Sequence, residues 1–184
     1  MYFKEEINNL KIECDKENDM LKSQTCCFTG HRSQKLPWGE NETDERCKEM
    51  KRALREEIVK AMKRGYVYFI SGMALGFDII SAETVLSLKQ DYPQIKLIEA
   101  LPCKNQSDKW KACQIERYNK VLSQCDSVRC LYDNYNDKCM LERNDYMVNN
   151  SSLVIALYNG QGGGTGYTIR KAKESGVEVV IIKP

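Results

Sequence analysis

What is scarce in this chain narrows its chemistry before any motif is considered. A single histidine, His31, occurs in 184 residues, and the nine cysteines are odd in number and contain no C-x-x-C pair. That ligand supply disfavours a zinc site and points to reduced thiols with structural roles. No apolar run approaches the ~20 residues that span a bilayer. The N-terminal segment MYFKEEINNLKIECDKENDM is charged throughout, with no apolar centre of the kind a signal peptide carries, so a cytoplasmic location is the expectation. Neither sign of charge dominates: 28 Lys and Arg face 26 Asp and Glu, a net charge of +2. A broad nucleic-acid surface is therefore disfavoured, while a local basic patch stays open. Two phosphate-binding fingerprints are absent as well. No G-x-x-x-x-G-K-[ST] occurs, and no G-x-G-x-x-G follows the first strand-like run, which disfavours P-loop NTPases and ordinary dinucleotide dehydrogenases.

What is present is an alternation of strand-like and helix-like segments. Residues 66–71, 95–101, 127–132, 152–158 and 177–182 read as buried strands, and the shorter TCCFTG at 25–30 ends in the same glycine-bearing way. Most are continuous apolar runs, the pattern of strands covered on both faces. Between them, residues 44–64 place Cys47, Met50, Leu54, Ile58 and Ala61 on one helical stripe, with Thr43 as cap and Gly65 as stop. Residues 77–90, 106–124, 138–150 and 166–175 also read as helices. The alternation predicts an α/β fold: a Rossmann-like parallel sheet of about six strands with right-handed crossovers and helices on both faces. Residues 25–184 form that domain. Residues 1–24 stand apart as an extension, with Phe3, Ile7, Leu10 and Cys14 spaced as one face of an amphipathic helix.

In an open parallel sheet, ligands bind beyond the carboxyl ends of the strands, near the point where strand order reverses. The loops predicted there are TGHR (29–32), SGMALGFD (71–78), EALPC (99–103) and NGQGGGTG (159–166). Three carry glycine, which lets a backbone approach a ligand closely, and a helix starting beyond such a loop offers free N–H groups to a phosphate. Three at one sheet edge point to an anionic, phosphate-bearing ligand. Gly30, His31 and Arg32 would line it from the first loop and Ser71, Gly72, Met73, Gly76 and Asp78 from the second. Gly162, Gly163, Gly164 and Thr165 would hold the phosphate, with Arg32 and Arg143 supplying charge, since a guanidinium engages a phosphate through two hydrogen bonds. A Cys27 thiol nucleophile, four residues from His31, is disfavoured by its place within a strand.

The set CCFTGHR, SGMALGFD, the segment with Gln106, Trp110, Arg117 and Tyr118, and ERNDYMVNNSSLVIALYNGQGGGTGYTIRKAK resembles the YpsA-like branch of the SLOG superfamily from about residue 25 to the C-terminus. That superfamily includes the Lonely Guy phosphoribohydrolases and the DNA-processing protein A family. The resemblance implies a Rossmann-like fold that binds a nucleotide or nucleotide-derived ligand at the strand ends. Lonely Guy enzymes pair an arginine with a glutamate just after their glycine loop. Arg143 matches that arginine and Met147 follows at the family spacing, but the positions that should supply the acid are Gly166, Tyr167 and Thr168. The departure favours a sensor or regulator over an enzyme. An enzyme of this design would be a nucleoside-monophosphate glycosidase-type hydrolase, with Arg143, Glu99 and Asp78 as candidate catalytic groups. Asp78 has an equally good reading as an acid in a helix's first turn, and Glu99, inside IKLIEAL, must find solvent, a partner or a ligand.

SGMALGFD also resembles the SG-x-A-x-G-x-D loop of DNA-processing protein A. Lys104, Lys109, Lys111, Arg117 and Lys120 cluster in sequence around Trp110 and Tyr118, as a single-stranded nucleic-acid site would require, although a solvated helix face has the same pattern. The expected partner is thus a small-molecule nucleotide, with nucleic acid and self-association left open, no membrane, no metal and no further cofactor.

Overall fold

A computed structural model describes residues 21–184; the amphipathic segment read from Phe3 to Cys14 lies outside them. Six strands, β1 (Thr25–Gly30), β2 (Tyr68–Ser71), β3 (Lys96–Cys103), β4 (Ser127–Tyr132), β5 (Leu153–Leu157) and β6 (Glu178–Ile182), alternate with five helices. The helices are α1 (Glu45–Lys63), α2 (Phe77–Lys89), α3 (Ala112–Leu122), α4 (Cys139–Asn149) and α5 (Gly164–Glu174). Every strand pairing is parallel, and the order across the sheet is β4-β3-β2-β1-β5-β6.

The chain thus builds outward from β1 to β4, then returns to the other side of β1 for β5. Strand order reverses between β1 and β5, so the loops after these two strands flank the switch point, where open α/β sheets bind ligands.

Alternation along each strand divides the core in two. Cys26 and Phe28 of β1 point to the face covered by α1 and α2, among Met50, Leu54, Ile58 and Phe77. Cys27 points the other way, among Met147 and Val148 of α4 and Ile169 and Ala172 of α5. The two thiols fill positions a small hydrophobe would take, and burial pushes that of Cys27 up to about 12. Neither is a nucleophile at neutral pH. Phe28 stacks on Phe69 of β2 at a 6.1 Å centroid distance, and both are fully buried.

Four local expectations are corrected. The cap of α1 is Asp44, which accepts the Arg46 backbone N–H at 2.9 Å, not Thr43, whose hydroxyl is taken by Asn41 Oδ1 at 2.6 Å. The third helix begins at Ala112 rather than 106: Gln114 reaches back to the Lys111 N–H at 3.0 Å and closes its first turn there. Residues 104–110 are turns instead. Helix α5 begins two residues early, at Gly164, bringing Thr165 into its first turn. Finally, β4 and β6 are the two edge strands, exposed or half-buried except at Ile182, rather than covered on both faces.

Candidate functional site

The loop after β1 is packed against the loop after β2. Gly30 ends β1 where a Cβ would lie 2.5 Å from the Phe77 side chain, so its missing side chain lets α2 seat against the strand. Gly76 sits at φ 99°, with a would-be Cβ 2.8 Å from the His31 carbonyl oxygen; only glycine fits both constraints. His31 is buried, and its Nε2–H donates to Asn159 Oδ1 at 2.7 Å. The same oxygen accepts the Gln161 N–H at 3.0 Å. His31 therefore ties the end of β1 to the glycine loop after β5, across the switch point.

The stretch 71–78 is folded inward more than its glycines suggest. Ser71 Oγ donates to the Asp78 carbonyl at 3.0 Å and accepts the Met73 N–H at 3.1 Å. Met73 adopts φ 54°, unusual without glycine, and its side chain is wholly buried. The turn brings Ala74 and the Asp78 carboxylate to the sheet edge while Ser71, Gly72, Met73 and Gly76 form its floor.

Arg143, on α4, crosses that floor from the opposite face of the sheet. Its Nη1 donates to the Gly72 carbonyl and lies 3.9 Å from Asp78 Oδ2, while Nε donates to Asn144 Oδ1 at 2.9 Å. A Cβ on Gly72 would overlap the guanidinium, so Gly72 is what permits the crossing. Both ionic groups are buried, at 4% exposure for Arg143 and 5% for Asp78. Burial pushes the Asp78 carboxyl up to about 6, against the opposing pull of Arg143, the Ala74 N–H at 3.4 Å and Arg32. Burial likewise lowers Arg143, partly offset by Asp78.

These elements enclose a cleft of about 400 Å³. Gly30, His31, Arg32, Asp78, Arg143 and Gly162 to Thr165 all line it, as the sequence leads one to expect of them. The helix α5 opens onto it with Gly163 at φ 122° as N-cap and no side-chain cap, so its first-turn N–H groups face the cleft. Ser71, Gly72, Met73 and Gly76 lie behind the lining. So does Glu99, which is fully buried on the sheet face beneath α2 and α3 with neither carboxylate oxygen hydrogen-bonded among the described residues. Its in-register neighbour Ser71 gives its proton to Asp78 instead. Burial first, then the Asp78 charge, raises the Glu99 carboxyl well above its usual range.

Four lining residues, Gln34, Lys35, Met140 and Asn144, have no counterpart in the sequence reading. Lys35 places Nζ 3.4 Å from where a Gly163 Cβ would be. Asn144 braces Arg143, and Gln34 completes the rim. The signal for Lys35 was present, five residues beyond β1 in TGHRSQK, but only the 3-10 turn at Ser33–Lys35 aims it back. Counted by charge among the described residues, the cleft has Arg32, Lys35 and Arg143 against Asp78 alone. No carboxylate comes from the first turn of α5: Thr168 bonds the Gly164 carbonyl at 2.9 Å and Tyr167 reaches Asp145 at 2.9 Å.

The basic cluster around Trp110 is largely neutralised. Arg117 is held by Glu83 and Glu42, Lys104 by Asp133 and Lys111 by Glu40. Tyr118 is buried, and Trp110 packs edge-on against it at 5.3 Å. Among the described residues no group of three or more His, Cys, Asp or Glu side chains is placed to hold a metal, and no helix is long and apolar enough to cross a membrane.

Comparison with known proteins agrees with this architecture. The chain is 30% identical over 135 residues to the uncharacterised SPbeta prophage-derived protein YoqJ of Bacillus subtilis, covering 67% of this chain and 78% of that one. It is 30% identical over 118 residues to a UPF0398 protein of Brevibacillus brevis, and that match spans 63% of each chain, a little under two thirds of the relative's length. Among solved structures, DNA processing protein A of Helicobacter pylori, described for its single-stranded DNA binding mode, superimposes with a TM-score of 0.62 at 19% identity over 90% of this chain and 68% of that one. The Streptococcus pneumoniae protein of the same name gives 0.59 at 15% identity, over 89% and 51%. At such identities the likeness is one of fold. The YpsA family model, that of the YspA SLOG family, matches residues 26–181, and the chain belongs to that family.

Proposed function

We propose that the cleft binds the phosphate of a nucleotide or nucleotide-derived ligand, and that the protein works as a sensor or regulator of that ligand. The observation that carries this reading is the convergence of Arg32, Lys35 and the α5 N-terminus on one cleft at the switch point, with Asp78 the sole acid of its lining among the described residues. The absence of a second carboxylate in the lining, and of any in the first turn of α5 where Lonely Guy enzymes carry theirs, supports sensing over hydrolysis, because general acid or base work at the sugar needs that group within hydrogen-bond reach. Glu99 does not supply the second one, being fully buried and outside the cleft lining.

Single-stranded DNA, which the Helicobacter pylori protein binds, is the less favoured ligand here. Its backbone needs a continuous positive track, and Arg117, Lys104 and Lys111 are already paired with acids. Hydrolysis would rest on Asp78, whose value of about 6 suits proton transfer near neutral pH.

The test is a thermal-shift and calorimetric screen of nucleotides against the full chain, with mass spectrometry of small molecules released from it. A ligand at 100 times its Kd stabilises by about 2.7 kcal/mol, which raises Tm by about 5–10 °C in a domain of this size. No shift with any nucleotide at millimolar concentration would sink the reading. Salt-sensitive binding of single-stranded oligonucleotides without nucleotide binding would replace it with the DNA one, and free base released by the wild type but not by Asp78→Asn would make it a hydrolase.

A further inference from the structure

Beside the first cleft lies a second hollow of about 790 Å³ that the phosphate reading does not use. The two share Arg32, Gln34, Ala74 and Met140, so they form one continuous trough with Arg32 at the junction. The far wall is made by the turns at 104–110. There Trp110 is half-buried, with its indole fixed edge-on by Tyr118. Tyr135 also lines the hollow, with 57% of its surface exposed and its backbone N–H donating to Asn105 Oδ1 at 2.9 Å. Leu75 adds a further apolar surface.

One polar atom in this wall is unsatisfied. Gln106 Nε2 donates to the Met73 carbonyl at 2.8 Å, which fixes the orientation of the amide, because turning it over would set two oxygens against each other. Its Oε1 is then buried without a partner among the described residues. An amide oxygen only accepts, so the complementary group is a hydrogen-bond donor, which a base supplies as an N–H. The hollow is also close to electrically balanced, with Lys111 taken by Glu40 at 3.1 Å. It suits an uncharged, flat group better than a second phosphate.

We infer that this hollow holds the base of the same nucleotide, one that carries an exocyclic amino group, with its face against the exposed Tyr135 ring and its amino N–H donating to Gln106 Oε1. The inference rests on the nucleotide reading of the first cleft and adds which end of the ligand lies where. Aromatic faces accept any base by stacking, whereas a fixed acceptor selects for a donor edge and penalises a ligand that lacks one.

Calorimetric titration of the full chain with inorganic phosphate, ribose 5-phosphate, AMP and CMP tests it. The expected result is that AMP or CMP binds at least tenfold more tightly than ribose 5-phosphate. Tyr135→Ala and Gln106→Leu should each bring the nucleotide to within about threefold of the sugar phosphate while leaving ribose 5-phosphate affinity unchanged. Tyr135 is exposed, so its replacement spares the fold even if Gln106→Leu disturbs the 71–78 turn. If ribose 5-phosphate binds and neither nucleotide binds better, the base subsite is refuted and the phosphate cleft survives. The inference is equally refuted if the nucleotides do bind better but Tyr135→Ala leaves the preference intact. If none of the four probes binds, the nucleotide reading itself falls and takes this inference with it.

Discussion

Glu99 gives the sharpest test of the physical reasoning, because its cost can be separated into two parts. The side chain is fully buried between Ser71 and the α2–α3 layer, and neither carboxylate oxygen has a hydrogen-bond partner among the described residues. An orphaned buried polar group of this kind costs about 1–3 kcal/mol. Methionine has an unbranched stem of similar length and no hydrogen-bonding demand, so Glu99→Met should stabilise by about that amount. In a domain of this size the gain corresponds to a rise in Tm of about 2–10 °C. The second part depends on pH. The folded state holds the Glu99 proton more tightly than the unfolded chain does, since burial and the Asp78 charge both raise its carboxyl. Its contribution to stability is therefore fully present below the ordinary glutamate value and is lost as pH rises through the folded value, at up to about 1.4 kcal/mol per pH unit.

Glu99→Gln separates the two effects. It cannot ionise, so it should flatten the pH dependence just as Glu99→Met does. It keeps unpartnered polar atoms, however, so it should not share the gain seen at pH 5, where the native carboxyl is protonated. Urea denaturation of the three proteins from pH 5 to 9 reads both quantities. A Glu99→Met variant destabilised by more than about 1 kcal/mol at pH 7, or one with the wild-type pH slope, would show that the carboxylate has a partner and that the burial argument is wrong.

Gly72→Ala should cost about 3–5 kcal/mol in chemical denaturation, because the added methyl expels the Arg143 guanidinium and leaves Asp78 without its buried partner. Gly162→Ala, whose Cβ would meet nothing within 4 Å, should change stability by less than about 1 kcal/mol. His31→Ala removes the bond to Asn159 and should lower stability by about 1–2 kcal/mol, with faster amide hydrogen exchange across residues 159–163 as the specific sign. A bound phosphate would push Asp78 further up from about 6, so binding takes up a proton and affinity should fall as pH rises from 6 to 8. Calorimetry of Asp78→Asn with ribose 5-phosphate should show that fall reduced; an unchanged profile would place the phosphate away from Asp78.

Strand and helix identity was legible because the fold's periodicities are written in side chains: the stripe of Cys47, Met50, Leu54, Ile58 and Ala61 on α1 is buried as its spacing requires. The failures have local causes. Residues 106–111 carry a helix-compatible pattern, but the Gln114 bond to the Lys111 N–H starts α3 later, at Ala112, and the freed turns become the wall with Trp110. The apolar letters of SVRCLY do not reveal that β4 is last in the sheet, since edge position depends on strand order and not on composition. At the site, glycine density located the loops, but not the direction in which they fold. Met73 at φ 54° turns 71–78 inward, so Gly72 serves Arg143 instead of forming a cleft wall. Lys35 and Asn144 could not be read at all, because their places depend on a short 3-10 turn and on a contact with the adjacent arginine.

The arrangement of charge bears on why such a cleft suits sensing. Arg143 is committed to the scaffold through Gly72 and Asn144, and its charge is half-answered by Asp78 beneath it. The cations left to meet a ligand, Arg32 and Lys35, line the cleft together with the α5 N-terminus, and Lys35 Nζ lies 3.4 Å from where a Gly163 Cβ would be. A phosphate carries the same charge before and during cleavage of a distant glycosidic bond, so contacts of this kind hold ground state and transition state equally. Uniform binding raises affinity without accelerating a reaction. Acceleration would need a group at the sugar, and the first turn of α5 offers Gly166, a Tyr167 turned to Asp145 and a Thr168 turned to its own helix. On the proposed reading, the site recognises an anion and retains it.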